Sequence, residues 1–297
     1  MEAQTAPPDS ALQPIDPSLR IASVHLGVGE LPRSVSFYEH AIGLPVISQD
    51  DEGARLGADA DSPSLVLTRI EEPQPAPPHT TGLFHVAWLH PTRRDLAATI
   101  ERVVRARWPI HGASDHGVSE ALYLSDPDGL GVEVYADRPR EQWRHLSSGE
   151  LEMVTLPLDL DDLLAQSPLE EVPAMPGAAT LGHIHLKVSD VARAAGFYRD
   201  TIGFEEQAHM PSAAFLAAGG YHHHIGLNSW QSRGAGPPSE RAPGLREVVF
   251  ELSGADALAQ LQQRVAAAGQ HAEVEPRRLH LGDPDGDRLT FAAPARG

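Results

Sequence analysis

Alternating apolar and polar positions recur along the chain, and each alternating run is followed by a helical period. "SVHLGV" from Ser23 and "HIHLKV" from His183 alternate as half-buried strands do, and the apolar positions after them recur with the spacing of a short amphipathic helix. The helices run into "SFYEHAIG" and "GFYRDTIG", with Gly43 and Gly203 where a left-handed cap is expected, and a further strand follows. Weaker relatives begin at Gly82, "GLFHVAWLHPTRRDLAATIERVVRARWPI", and at Gly244, "GLREVVFELSGADALAQLQQRVAAAGQHA". Each ends in an Asp-Pro-Asp-Gly turn and a last strand, "GVEVYAD" or "DRLTFAA". The pattern predicts an α+β fold of four strand-helix-strand-strand-strand (βαβββ) modules, paired in chain order into two domains at 19–140 and 180–297. Residues 1–18 read as a flexible N-terminal segment. Residues 141–179 read as an acidic, Pro-containing linker with one short helix at Leu160 to Gln166. Glu71 to Thr80 and Ser232 to Gly244 read as Pro-rich loops that cannot join a ladder.

Small sheets paired in this way curl around a cleft, and inward side chains of first and last strands share it. That places His25, His85 and Glu133 within reach of one another. Two imidazoles and one carboxylate form the facial set that holds Fe(II) or a similar ion while leaving positions open, where a substrate with two adjacent oxygens could chelate beside dioxygen. The bland alternative is a solvent-facing strand with incidental histidines. Against it stands Glu133 inside the apolar "GVEVYA", since a buried carboxylate costs several kcal/mol unless paired or metal-bound.

Composition narrows the function classes. A formal charge of −18 over 297 residues excludes a basic face for nucleic acid or acidic lipid. With no Cys, disulfides, thiolate metal sites and a Cys nucleophile are excluded. No apolar run approaches a membrane span, and the N-terminus lacks the regions of a signal peptide, which predicts a soluble cytoplasmic protein. Exposed sheet edges in such paired modules invite a homo-oligomer.

The stretch "SDHGVSEALYLSDPDGLGVEVYADRP" holds His116, Tyr123, Asp126-Pro127, Gly129 and Glu133 in that order. It resembles the signature of type I extradiol ring-cleavage dioxygenases of the vicinal oxygen chelate superfamily. With the repeats, the resemblance extends over about Leu19 to Ala293 and is nearest to two-domain catechol 2,3-dioxygenase-like proteins. It implies an extradiol dioxygenase of aromatic catabolism that cleaves a catechol with O2. The metal would be Fe(II), or alternatively Mn(II), on His25, His85 and Glu133. His116 would be an acid/base near substrate and oxygen, and Tyr123 a hydrogen-bond donor to a ring oxygen. The sequence departs from the signature at Ser114, two residues before the His, and it carries its triad in the N-terminal half.

In the second half His185 matches His25, but "LREVVFEL" has no His for His85 and Thr290 stands where Glu133 would align. In "YHHHIGLN", alternation would turn His222 and His224 to one face and His223 to the other. His224 with His185 would then give a two-His site or, on the favoured reading, a vestigial pocket. Two other readings remain. One is another vicinal oxygen chelate metalloenzyme, a glyoxalase-type isomerase or a thiol transferase. The other is a bleomycin-resistance-type binding protein, which needs no metal triad.

Overall fold

The computed structural model describes residues 13–166 and 174–294, so the segment expected over 1–18 lies outside the described residues as far as position 12. The first module comprises β1 (Arg20–Val28), α1 (Leu31–Phe37), β2 (Val46–Gln49), β3 (Gly53–Leu56) and β4 (Leu65–Arg69). The second comprises β5 (Gly82–His90), α2 (Arg93–Arg105), β6 (Ile110–Asp115), β7 (Ser119–Ser125) and β8 (Gly131–Asp137). The connector contributes β9 (Leu156–Pro157) and α3 (Leu160–Leu164). The third module is β10 (Thr180–Lys187), α4 (Val191–Gly196), β11 (Glu205–Met210), β12 (Ala213–Ala217) and β13 (Ile225–Asn228). The fourth is β14 (Gly244–Glu251), α5 (Ala255–Ala267), β15 (Glu273–Glu275), β16 (Arg278–Gly282) and β17 (Arg288–Ala292). Among the described residues no helix is long and apolar enough to cross a membrane.

Alternation in the four first strands divides core from cleft. Val24 and Leu26, Val86 and Trp88, Ile184 and Leu186, and Val248 and Phe250 are all fully buried in one apolar core. The intervening positions, among them His25, His85, His183 and Glu247, lie on the other face of each strand, as a period of two requires. α1 and α4 each end in a single wide turn, capped by Gly43 at φ 91° and Gly203 at φ 103°. The tyrosine of each "FY" pair then reaches the next module. Tyr38 donates to Asp126 at 3.3 Å and Tyr198 to Asp283 at 3.0 Å, so each odd module is tied to the Asp-Pro-Asp-Gly turn of its successor.

The sheets themselves pair differently from the expected chain order. Within each module the last strand runs parallel to the first. β1 then pairs antiparallel with β14, and β5 with β10, joining module one to four and module two to three. The two sheets run β2-β3-β4-β1-β14-β17-β16-β15 and β11-β12-β13-β10-β5-β8-β7-β6, with a single bridge between Ile21 and Leu181. The physical reason is that each first strand has one edge covered by its own module's last strand and one edge free. All four free edges carry the same alternation, so local pattern cannot choose their partners. Gly182 shows how close the chosen partners come: a Cβ there would lie 1.7 Å from the Tyr135 hydroxyl.

His90, at the end of β5, is buried, and among the described residues neither ring nitrogen has a hydrogen-bond partner. Burial, assisted by the Arg102 guanidinium, pushes its pKa down to about 4. The unfolded chain protonates near pH 6.5 while the native ring stays neutral, so stability is full above that pH and falls as pH drops toward 4, by on the order of 3 kcal/mol for this residue. Urea denaturation at pH 7.5 and pH 5 should therefore show His90→Leu losing less stability on acidification than wild type. Equal losses would exclude His90 as a source of the acid sensitivity.

Candidate active site

The pairing of β5 with β10 sets His85 directly opposite His185, and β8 lies on the other side of β5 with Gly131 opposite His85. A Cβ at Gly131 would come within 2.0 Å of the Phe84 carbonyl oxygen, so glycine permits this approach of β8 to β5. Glu133 then points into the cleft from β8, and His183 does so from β10. His85 Nε2 and His183 Nε2 stand 2.9 and 3.1 Å from Glu133 Oε2 and 3.2 Å from each other. All three residues are buried. Metal bonds of about 2.1 Å at right angles would place donor atoms about 3.0 Å apart, so the triangle fits one face of an octahedron. The remaining nitrogen of His183, Nδ1, is buried and has no hydrogen-bond partner among the described residues. Burial alone would raise the Glu133 pKa, but the imidazoles of His183 and His85 outweigh it and hold the carboxyl well below its usual range. Burial holds the His183 pKa down at about 4. The set is thus a carboxylate and two imidazoles, a donor combination suited to a divalent cation.

The structure brings His85 and Glu133 together and does not bring His25 to them. His25 is correctly matched to His185, but it belongs to the other cleft, where its Nδ1 lies 3.1 Å from Glu247 Oε2. That cleft has Ser23 where the first has His183, Glu247 where it has His85, and Thr290 where it has Glu133. Thr290 donates to Glu247 and accepts from His280 Nδ1 at 2.7 Å, so the cluster is closed by its own hydrogen bonds. His183 was not among the residues expected from sequence, and its signal there is the "HIH" of β10 against "SVH" in β1.

A cavity of about 690 Å³ opens over the triangle, lined by Phe84, Met153, Met210, Phe215 and Trp230 among others. Its size lies in the range of small-molecule sites. His116 and Tyr123 line it as well. His116 Nδ1 donates to the Val154 carbonyl at 2.7 Å, which leaves Nε2 as an acceptor for the Tyr123 hydroxyl at 2.6 Å. Burial and the facing Glu133 raise the Tyr123 pKa far above that of a free phenol, keeping its proton on. The expected connector is therefore part of the site: Met153 to Thr155 wall the cavity, and β9 pairs with β6. The Pro-rich loops also interlock, Gln74 N donating to Arg241 O at 2.9 Å, and line a groove of about 900 Å³ that shares Leu83, Gly129, Lys187 and Gln231 with the cavity.

The three consecutive histidines depart from the alternation expected of them, because β13 starts only at Ile225. His223 lines the cavity with its ring 4.0 Å from that of His183. His222 lies behind it, and His224 Nδ1 accepts from Ala218 N at 3.1 Å instead of joining His185 in a two-His site. His185 lines the same cavity, its Nε2 without a hydrogen-bond partner among the described residues, and burial holds its pKa well below the usual value.

A family model described as the Glyoxalase/Bleomycin resistance protein/Dioxygenase superfamily matches residues 20–134 and 180–288. The chain is 39% identical to catechol-2,3-dioxygenase of Bacillus subtilis over 91% of its own length and 96% of that protein. It is 29% identical over 127 residues to biphenyl-2,3-diol 1,2-dioxygenase 3 of Rhodococcus globerulus, covering 40% of this chain and 63% of the relative. The fold is shared with glyoxalase I from Zea mays, at a TM-score of 0.56 and 17% identity, over 93% of this chain and 92% of that one.

Proposed function

The chain belongs to the Glyoxalase/Bleomycin resistance protein/Dioxygenase superfamily, and within it we propose an extradiol dioxygenase that cleaves a catechol with O2 at His85, His183 and Glu133. The observation that carries this reading is the buried triangle of two imidazole nitrogens and one carboxylate oxygen beneath a cavity with aromatic walls. Fe(II), or Mn(II) in its place, would bring the two diol oxygens and dioxygen together there and pass electrons between them.

The chain's own groups supply positioning and proton handling. Phe84 and Trp230, with ring centroids 5.3 Å apart, give an apolar wall for a planar ring and exclude water from it. His116 Nε2 is the basic atom available to a substrate hydroxyl, and the Val154 carbonyl holds the ring in that tautomer. Tyr123, uncharged, can turn its O–H from His116 to a substrate oxygen. His223 offers a further neutral imidazole on the other wall, since burial holds its pKa well below the usual value. The product would carry both atoms of O2, with the ring opened beside one hydroxyl.

The test is a panel of catechols and their mono-O-methyl ethers with anaerobically Fe(II)-loaded protein. Free vicinal diols should consume one O2 per ring-opened product, and the ethers, which cannot chelate through two ionised oxygens, should consume none. Full metal loading without O2 uptake on any diol, or isomerisation of a glutathione hemithioacetal in its place, would overturn the reading.

A further inference from the structure

We propose that Asp137 and His222 are positioning residues that fix the tautomer of His223, so that its Nε2 lone pair is the one presented to the cavity. The inference follows a chain of hydrogen bonds running from the cavity wall to the surface. His223 Nδ1 and His222 Nδ1 are 2.7 Å apart, and His222 Nε2 is 2.8 Å from Asp137 Oδ1. A carboxylate only accepts, so His222 carries a proton on Nε2, and in the singly protonated ring Nδ1 is then a lone pair. A contact between two imidazole nitrogens needs one donor, so His223 must carry its proton on Nδ1. That leaves Nε2 as the acceptor, on a ring that lines the cavity beside His183.

The rest of the network points the same way. Tyr221 donates to the same Asp137 Oδ1 at 3.3 Å, and its oxygen lies 2.7 Å from that of Tyr135. Since Tyr221 has given its proton to the carboxylate contact, Tyr135 is the donor between the two phenols. Burial raises the pKa of both tyrosines well above the phenol range, so neither can reverse its role by ionising. Every donor in the network is thus oriented toward Asp137. His222 is fully buried, with the Trp143 and Tyr221 rings against it, whereas the Asp137 side chain is 26% exposed. A carboxylate that keeps contact with water can hold its charge while the imidazoles behind it stay dry. Neither residue touches the cavity, so each acts only through His223, in the way that an imidazole's far nitrogen generally decides which near nitrogen is free.

The use of that lone pair as a base rests on the dioxygenase reading, but its direction can be measured without turnover. The experiment is long-range ¹H–¹⁵N correlation on histidine-labelled full-length protein loaded with Zn(II), a diamagnetic ion that takes the same donors. In wild type, His223 should show a protonated, pyrrole-like Nδ1 and a pyridine-like Nε2. His222→Asn keeps an acceptor near the position of Nδ1 and should preserve that pattern, whereas His222→Leu removes the acceptor and should convert His223 to a mixed or Nε2-protonated form. Asp137→Leu, a change at a partly exposed site, should have the same effect on His223 through His222. A wild-type His223 protonated on Nε2 would overturn the proposal. So would an unchanged His223 pattern in a folded His222→Leu or Asp137→Leu protein. Loss of dioxygenase activity with the tautomer as stated would count against the catalytic reading alone.

Discussion

His183→Ala and Glu133→Gln should each cost the protein its metal, whereas His25→Ala should leave metal content at the wild-type level. The first two remove a donor from a buried triangle whose sides are 2.9, 3.1 and 3.2 Å. With two donors left in a dry site, affinity should fall by more than the roughly 10- to 100-fold that loss of a mere orienting neighbour costs. Glu133→Gln preserves shape while removing the charge that the two imidazoles and a cation both need. His25 is in the other cleft, bonded to Glu247, and its loss changes only that closed cluster. Metal content measured after anaerobic loading and desalting decides between the two ligand sets. Depletion in His25→Ala equal to that in His183→Ala would restore His25 to the centre and remove His183 from it.

The contrast between His25 and His183 marks where local pattern stops being informative. Module count, the Gly43 and Gly203 caps and the turns before the last strands depend on residues near in sequence, and all were legible. The inward faces of β5 and β8 were legible too, because Val86 and Trp88, like Val132 and Val134, must go to the core and leave His85 and Glu133 on the other side. The equivalence of Thr290 with Glu133 also held, each standing beside the residue two past its module's Glu247 or His85. The edge-to-edge choice of β5 for β10 was not legible, since four similar strands compete for it. Without that choice the third donor cannot be named. His183 and His185 share one face of β10, and only the pairing shows that His185 lies across from His85 while His183 sits one step further along, level with Glu133.

In Fe(II)-loaded protein, His116→Ala should lower kcat by about 10²- to 10⁴-fold, the usual worth of acid/base assistance, with metal content unchanged. His116 is on the loop after β6 and is not one of the three donors, and among the described residues its ring nitrogens bond to the Val154 carbonyl and the Tyr123 hydroxyl. Tyr123→Phe should have a smaller effect, because it removes one donor and leaves the base in place. A hydrogen bond of this kind contributes about 1 kcal/mol net, or roughly 5-fold. The decisive quantity is the double variant. The two groups share one proton position across 2.6 Å, so Tyr123→Phe in the His116→Ala background should cost much less than it does alone. Strict additivity of the two losses in kcat would mean that Tyr123 acts on the substrate independently of His116. The observed pair would then be a resting arrangement that turnover does not use.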